Sequence, residues 1–288
     1  MNKIINKKTD KIEYKNNEDF ELLKLIDLFL KKKRGYILQM PEKYTSIVTC
    51  MSGGLDSVAN IFYLLNEYKY NVYPFFINRS QSAYKAEKNA IKKYDKIFKK
   101  RFPGLYHSTR EIEVATPGKE YKDILRATKN MKEMAGNREI SYPARNSIMF
   151  LTGMEYAYSL DSQGINTRTI FGAHMSSDTS YHCSLTWTRL TNLTMCQITN
   201  DYNWQFIDIP IERELGNFFD KDVFVQYCID NNFDLSNTRT CVGKHPIQCG
   251  DCPNCWYRRQ IFKKMKIEDK TKYRFPLSKE CPSYNKRR

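Results

Sequence analysis

The chain has 288 residues, enough to bury a sizeable core as one α/β domain with appendages or as two small domains. With 41% hydrophobic and 27% charged residues it reads as globular, which excludes disordered and fibrous classes. No apolar run approaches the roughly 20 residues of a membrane-spanning helix, so no membrane partner is expected. The formal net charge of +15 points to a polyanionic partner such as nucleic acid or nucleotide, or to codon bias in a low-GC genome rich in Lys, Asn, Ile and Tyr. The basic residues are scattered apart from Lys31–Arg34 and Lys286–Arg288.

In chain order, residues 1–17 are polar and lysine-rich and are expected to be mobile. They carry no apolar stretch followed by a small-residue cleavage site, so a cytoplasmic protein is expected. From Glu18 to Lys33, Leu22, Leu25, Ile26 and Phe29 recur at helical spacing and predict an amphipathic helix stopped by Gly35. The β-branched run Thr45–Thr49 predicts a buried strand entering a glycine turn. A helix is predicted over Ser57–Glu67, a strand over Asn71–Ile77 and a second helix over Ala83–Arg101, whose Ala86, Ala90, Ile91, Tyr94 and Phe98 form one stripe. Further strands are predicted at Arg110–Val114 and Thr169–Gly172, with a helix from about Arg145 to Leu160 between them. Strands alternating with helices require crossover connections, so the expected fold is a doubly wound parallel α/β sheet. The organisation read from this is an N-terminal extension over 1–40, a nucleotide-binding α/β domain over 41–235 and a cysteine-rich segment over 236–288.

The hexapeptide Ser52-Gly53-Gly54-Leu55-Asp56-Ser57 lies where a strand ends and a helix begins. Its glycines let the backbone approach a ligand, and the N–H groups of the following first helical turn, with the helix dipole, form an anion site. Ser52 and Ser57 add hydroxyl donors suited to phosphate oxygens. Asp56 cannot donate to phosphate while ionised and suits bridging through Mg²⁺ or an orienting role. The lysine of G-x-x-x-x-G-K-[ST] is missing, and so is G-x-G-x-x-G.

Nine cysteines are present, and Cys241, Cys249, Cys252 and Cys255 follow the spacing C-x7-C-x2-C-x2-C. Four thiolates make a closed tetrahedral Zn²⁺ site with no open position, hence a structural metal, and the same spacing also suits an iron–sulfur cluster. The remaining cysteines, Cys50, Cys183, Cys196, Cys228 and Cys281, are expected to be buried packing residues.

The motif SGGLDS resembles the PP-loop signature of the ATP pyrophosphatase (adenine nucleotide α-hydrolase-like) superfamily. Together with the four-cysteine knuckle, and with Tyr142-Pro143-Ala144-Arg145-Asn146, Phe171-Gly172-Ala173-His174 and Cys255-Trp256-Tyr257-Arg258, the chain resembles the 7-cyano-7-deazaguanine synthase (QueC) family of queuosine and archaeosine biosynthesis over about Tyr44–Lys264. The resemblance implies an ATP-dependent, AMP-forming carbon–nitrogen ligase. It would convert a 7-carboxy-7-deazaguanine and ammonia to amide and nitrile. It also implies that Ser52, Gly53, Gly54, Asp56 and Ser57 hold ATP phosphates and Mg²⁺. Arg145 and Asn146 would line the nucleotide or substrate pocket, with Asp56, Ser57 and Arg145 acting in catalysis. His174, Asp178 and Tyr181 would lie near the deazapurine, and members are usually homodimers.

The family's S-G-Y-P-D-C stretch is reduced here to Ser180-Tyr181-His182-Cys183, and Leu185–Trp204 does not match well. These departures fall on the substrate side. They keep open a specialised relative from a phage or antiviral defence system that modifies DNA or protein with a deazaguanine, a PP-loop tRNA-modifying enzyme, and a basic nucleic-acid-binding module.

Overall fold

The computed structural model describes residues 18–115, 145–178 and 180–280. The expectations for residues 1–17, Tyr142–Ala144, Cys281 and Lys286–Arg288 lie outside them. The chain divides into two compact units, Met1–Cys50 with Val114–Asp220 and Met51–Glu113 with Lys221–Arg288.

The first unit opens with helix α1 (Phe20–Arg34). The Asp19 carboxylate accepts the Leu22 N–H at its start, and Gly35 ends it in the left-handed conformation at φ 85°, where a glycine carries no Cβ penalty. Its four terminal basic residues, Lys31–Arg34, sit at the negative end of the helix dipole. The buried stripe is Leu23, Ile26, Asp27 and Leu30, while Leu25 and Phe29, expected inside, are exposed. The stripe is rotated because a carboxylate belongs to it. Asp27 pairs with Arg189 of helix α5 (Leu185–Thr199), and an apolar periodicity does not register a buried Asp.

Strands β1 (Ser46–Cys50), β4 (Thr167–Phe171) and β5 (Gln205–Ile207) of this unit pair in parallel in the order β1-β4-β5, with Val48 opposite Ile170 and Ile170 opposite Phe206. Parallel neighbours need crossovers, and α5 supplies the one from β4 to β5. Helix α4 (Arg145–Asp161) packs on β1 and β4 through Phe150, Met154, Ala157 and Leu160. The Asn192 side chain of α5 both donates to Phe206 O and accepts from Phe206 N, tying β5 to the helix that precedes it. Arg189 is fully buried; Nε donates to Asp27 Oδ1 at 2.8 Å, and its two Nη atoms donate to Glu212 at 2.8 and 2.6 Å. At the other end of α1, Glu18 accepts the Leu185 and Thr186 N–H groups at 2.6 and 2.8 Å and so caps α5.

In the second unit, α2 (Leu55–Tyr63) continues as a π-helical turn over Leu64–Tyr68. Strand β2 (Asn71–Asn78), helix α3 (Tyr84–Arg101) and strand β3 (Arg110–Glu113) follow, then α6 (Lys221–Asp230) and α7 (Pro253–Lys264). β2 and β3 are parallel, with Phe75 opposite Arg110. The core here is aromatic: Phe233 stacks on Phe62 at 4.1 Å and on Phe98 at 5.3 Å between centroids, offset geometries worth about 0.5–1.5 kcal/mol beyond area burial. Parallel pairing with helical crossovers in both units bears out the expected α/β class. Helices α5, α6 and α7 and strand β5 were not anticipated from the sequence.

Removing Arg189 would leave Glu212 and Asp27 buried without their cation, a loss of about 3–5 kcal/mol. Arg189→Ala is therefore expected to lower the urea midpoint by that equivalent, with α1 the first segment to gain amide exchange.

Candidate functional site

Three constellations emerge from this fold. The first is the turn between β1 and α2. Gly53 has φ 71°, and a Cβ there would come within 3.0 Å of Glu87 O and 3.1 Å of Ala90 Cβ, so both backbone shape and space require glycine. The Ser52 and Ser57 hydroxyls lie 3.0 Å apart, Ser52 Oγ accepts from Gly54 N at 3.3 Å and Ser57 Oγ donates to Gly54 O at 3.2 Å. Gly54 is the N-cap of α2 and offers no side-chain acceptor to the first-turn N–H groups, which have no intrahelical partners. Asp56, in that first turn, pairs through Oδ2 with Lys221 Nζ of α6 at 2.7 Å. A lysine thus stands beside the loop, although none is present at the corresponding place in the sequence.

The second constellation is the cysteine cluster. The Sγ atoms of Cys241, Cys249, Cys252 and Cys255 all lie within 4.8 Å of one another, with Cys241–Cys249 at 3.5 Å and Cys249–Cys255 at 3.9 Å. Tetrahedral sulfurs about 2.3 Å from one zinc stand about 3.8 Å apart, so the donor set fits a single ion. Backbone N–H groups of Asp251 and Cys252 donate to Cys249 Sγ at 3.4 and 3.2 Å, as thiolates require. Cys252 is the N-cap of α7 and Cys255 lies in its first turn, where the helix dipole favours negative sulfur. With sulfurs this close, hydrogen bonds from Cys252 and Cys255 pull the Cys241 thiol down, while hydrogen bonding to Cys241 and Cys252, and burial after it, push Cys255 up. Gly250 at φ 85° lets the knuckle pass Phe275 O, which a Cβ would approach to 2.6 Å.

The knuckle is built into the same unit as the phosphate-type loop. Arg239 N donates to Gly53 O at 2.7 Å, and its guanidinium donates to the carbonyls of Cys241, Pro246 and Gly243. Arg258, buried at 2% exposure, donates to Asp269, Thr271, Thr240, Thr238 and Leu235 O and ties α7 to the segments on either side of the cysteine loop.

The third lies at the carboxyl ends of β4 and β5, the usual ligand-binding edge of a parallel sheet. His174 Nδ1 is 2.8 Å from Asp208 Oδ2, and His174 N donates to Asp208 Oδ1 at 3.1 Å. Thr188 Oγ1 donates to the same carboxylate at 3.0 Å. Gly172 is required here, since a Cβ would lie 2.2 Å from Asp208 Oδ1. Asn146 Nδ2 is 2.8 Å from His174 Nε2, 3.5 Å from Cys183 Sγ, and donates to His182 O at 3.0 Å. Burial disfavours the charged imidazole, but the Asp208 carboxylate outweighs it and holds His174 well above the usual histidine range. Asp208 is fully buried, which alone would raise it, yet His174 keeps it below the usual carboxylate range.

Of the residues singled out in the sequence, Asn146 and His174 meet in this cluster, and Arg145 Nε donates to Asn146 Oδ1 at 3.4 Å. Asp178 accepts the Met175 N–H at 2.8 Å in a local turn, and Tyr181 is 69% exposed. Ser52, Gly53, Gly54, Asp56 and Ser57 form the first constellation, and the four cysteines form the second. Asp208, Lys221 and Arg239 were missed. Asp208 had a faint signal, an acidic residue directly after the largely apolar stretch Trp204-Gln205-Phe206-Ile207. Cys50 is half-buried, and Cys183 belongs to a polar cluster and not to plain packing.

A family model described as "Queuosine biosynthesis protein QueC" matches residues 46–266. The chain belongs to the QueC family. The 7-cyano-7-deazaguanine synthase of Methanocaldococcus jannaschii is 27% identical over 249 residues, covering 78% of this chain and 98% of that protein. The synthase of Rickettsia canadensis is 23% identical over 241 residues, covering 79% and 98%. Among solved structures, the U34-tRNA thiolase NcsA of Methanococcus maripaludis with its [4Fe-4S] cluster is similar at 12% identity and a TM-score of 0.34, covering 86% of this chain and 73% of that one. QueC membership makes this an enzyme of the ATP-dependent ligase or synthase kind.

The raised His174 pKa means that its pairing with Asp208 stabilises the fold fully below about pH 6.5, and that this contribution fades as pH rises through the folded value. Gly172→Ala is expected to displace Asp208, and imidazole ¹⁵N shifts should then show the His174 pKa falling towards the ordinary range.

Proposed function

We propose that this QueC chain is an AMP-forming ligase that activates a 7-deazaguanine carboxylate with ATP and passes it to ammonia. The supporting observation is the glycine-shaped, hydroxyl-lined turn at the start of α2, with Lys221 and Asp56 beside it. The first-turn N–H groups of α2, the Ser52 and Ser57 hydroxyls and Lys221 would bind the triphosphate. Mg²⁺, held by the Asp56 carboxylate, would neutralise charge developing on the leaving pyrophosphate.

A carboxylate oxygen of the substrate attacks the α-phosphorus, and the bond to pyrophosphate breaks. Ammonia then attacks the acyl carbon; AMP leaves with the carboxylate oxygen, a proton leaves the nitrogen and an amide results. In a second round the amide oxygen attacks the α-phosphorus of another ATP, pyrophosphate leaves, and departure of AMP with the amide oxygen together with loss of both nitrogen protons gives the nitrile. Adenylation converts a poor oxygen leaving group into a good one, which is the reason to use ATP on a carboxylate. The cysteine cluster would hold one Zn²⁺ with a structural role, since four thiolates leave no position for substrate.

The measurement is pyrophosphate release with ATP, Mg²⁺, ammonium and 7-carboxy-7-deazaguanine, with products identified by mass spectrometry. Release is expected to depend on the acid and to fall at least about 100-fold in Asp56→Ala, the scale of losing one transition-state charge contact. Acid-independent ATP hydrolysis, or an acid–macromolecule conjugate in place of amide and nitrile, would redirect the assignment.

Metal analysis should give one zinc per chain and a colourless protein. Structural zinc contributes about 10–16 kcal/mol in small zinc-binding peptides, so Cys252→Ser is expected to give a large drop in Tm. A brown, visible-absorbing preparation would identify an iron–sulfur cluster instead.

A further inference from the structure

We propose that the outward side of α3 is a docking surface for the phosphate backbone of duplex DNA, gripped by Lys85, Lys92, Lys96 and Lys99 without regard to base sequence. The surface lies wholly within the second unit and is independent of the ligase chemistry.

Helix α3 carries eight basic residues and two acidic ones in 18 positions. Lys85, Lys92, Lys96 and Lys99 stand at i, i+7, i+11 and i+14, so they form one row about 21 Å long. The row lies opposite the inward stripe of Ala90, Ile91, Tyr94 and Phe98. All four lysines are exposed, as are Lys93 and Lys100 beside them, and none of the six has an ion-pair partner among the described residues. Lys93 donates to the neutral amide of Asn237 at 3.0 Å and Lys99 to the Ser108 hydroxyl, so both charges stay uncompensated.

The two acids are occupied elsewhere. Glu87 accepts from Gln81 at 2.7 Å, and burial pushes it towards its neutral form. Asp95 accepts from the Tyr106 and Thr109 hydroxyls, each at 2.6 Å. Lys88 is paired with Glu111 at 2.6 Å, and Arg101 is turned to the carbonyls of Asn231 and Asn232, which leaves both out of the row. A hollow of about 290 Å³ opens between Lys92, Lys93, Asp95, Lys96 and Lys99.

This arrangement works against the helix. Lys92 and Lys96, and Lys96 and Lys100, stand four residues apart, where like charges repel, and Lys85 faces the positive end of the helix dipole. Codon bias raises the number of lysines but does not clear acids from one face. A polyanion removes the repulsion. B-DNA presents one phosphate charge per about 1.7 Å of its axis, so every ammonium of such a row meets phosphate when the duplex lies along it. Lysine, a point charge on a flexible stem, suits a contact that positions the duplex and reads no base.

Other polyanions fit less well. A lipid surface calls for apolar side chains beside the basic ones, and single strands call for aromatic platforms. None of the exposed large hydrophobic side chains of the described residues lies on α3. Duplex RNA is recognised through its 2′-hydroxyls as well as its phosphates, and ammonium groups accept no hydrogen bond.

The test is fluorescence anisotropy of the full-length protein with a labelled DNA duplex, titrated with KCl. The plot of log affinity against log salt is expected to have a slope of about −3.6, from about 0.9 for each of four neutralised phosphates. Lys92→Gln and Lys96→Gln should each reduce the slope by about 0.9 whatever the duplex sequence, while Lys92→Arg and Lys96→Arg keep it. Both Gln variants are expected to melt no lower than the wild type, since they relieve like-charge repulsion, which separates lost binding from lost fold. No binding at about 50 mM salt, an unchanged slope in both Gln variants, or a slope that falls instead in Lys31→Gln and Lys32→Gln of α1 overturns the proposal. Tighter binding, at equal total charge, to duplex RNA, to poly-glutamate or to vesicles of phosphatidylserine in phosphatidylcholine overturns it as well.

Discussion

A charge taken out of water must be met by its opposite, and this constraint organises both units. Asp208 has no solvent exposure and is met by His174 and Thr188. Glu212 and Asp27 are met by one guanidinium, that of Arg189, and Asp269 by Arg258. The pairs join separate elements: α1 with α5, the ends of β4 and β5, and, over a shorter span, α7 with the segment that follows it. Apolar burial supplies the bulk of the stabilisation, but it is tolerant of small shifts. Ion pairs with bidentate geometry are not, so they fix the placement of the elements that carry site residues.

Strands β1, β2 and β3 and helices α1–α4 were legible because their apolar residues recur with the right period and are punctuated by glycine. The exposed and buried faces of α1 were not, because Asp27 lies in the inward stripe. Helix α5 hides for a related reason: its buried face contains Thr186, Thr188, Arg189 and Asn192, all spent on hydrogen bonds that no periodicity counts. β5 has only three residues, below the length at which alternation can be recognised.

The site shows the same division. Motifs made of neighbours in sequence, Ser52–Ser57 and the four cysteines, could be read directly. Lys221 comes to Asp56 from 165 positions away, and Arg239 reaches Gly53 from a similar distance. Cys183 was read as a small hydrophobe because nothing adjacent to it in sequence announces Asn146, whose amide lies 3.5 Å from its sulfur. Arg239 also explains why a metal knuckle belongs to the same unit as the phosphate-type turn: its backbone restrains Gly53 while its side chain gathers the carbonyls of the loop that begins at Cys241.

Helix α1 lies in the stretch read at first as an appendage, yet it carries one of the two carboxylates that neutralise Arg189, and Glu18 just before it closes the start of α5. Without α1 the bidentate Arg189–Glu212 pair would stay charge-balanced, but the Nε–H of that buried guanidinium would lose its acceptor. A shorter relative that keeps the arginine would need another oxygen, from water or from a different side chain, at that spot.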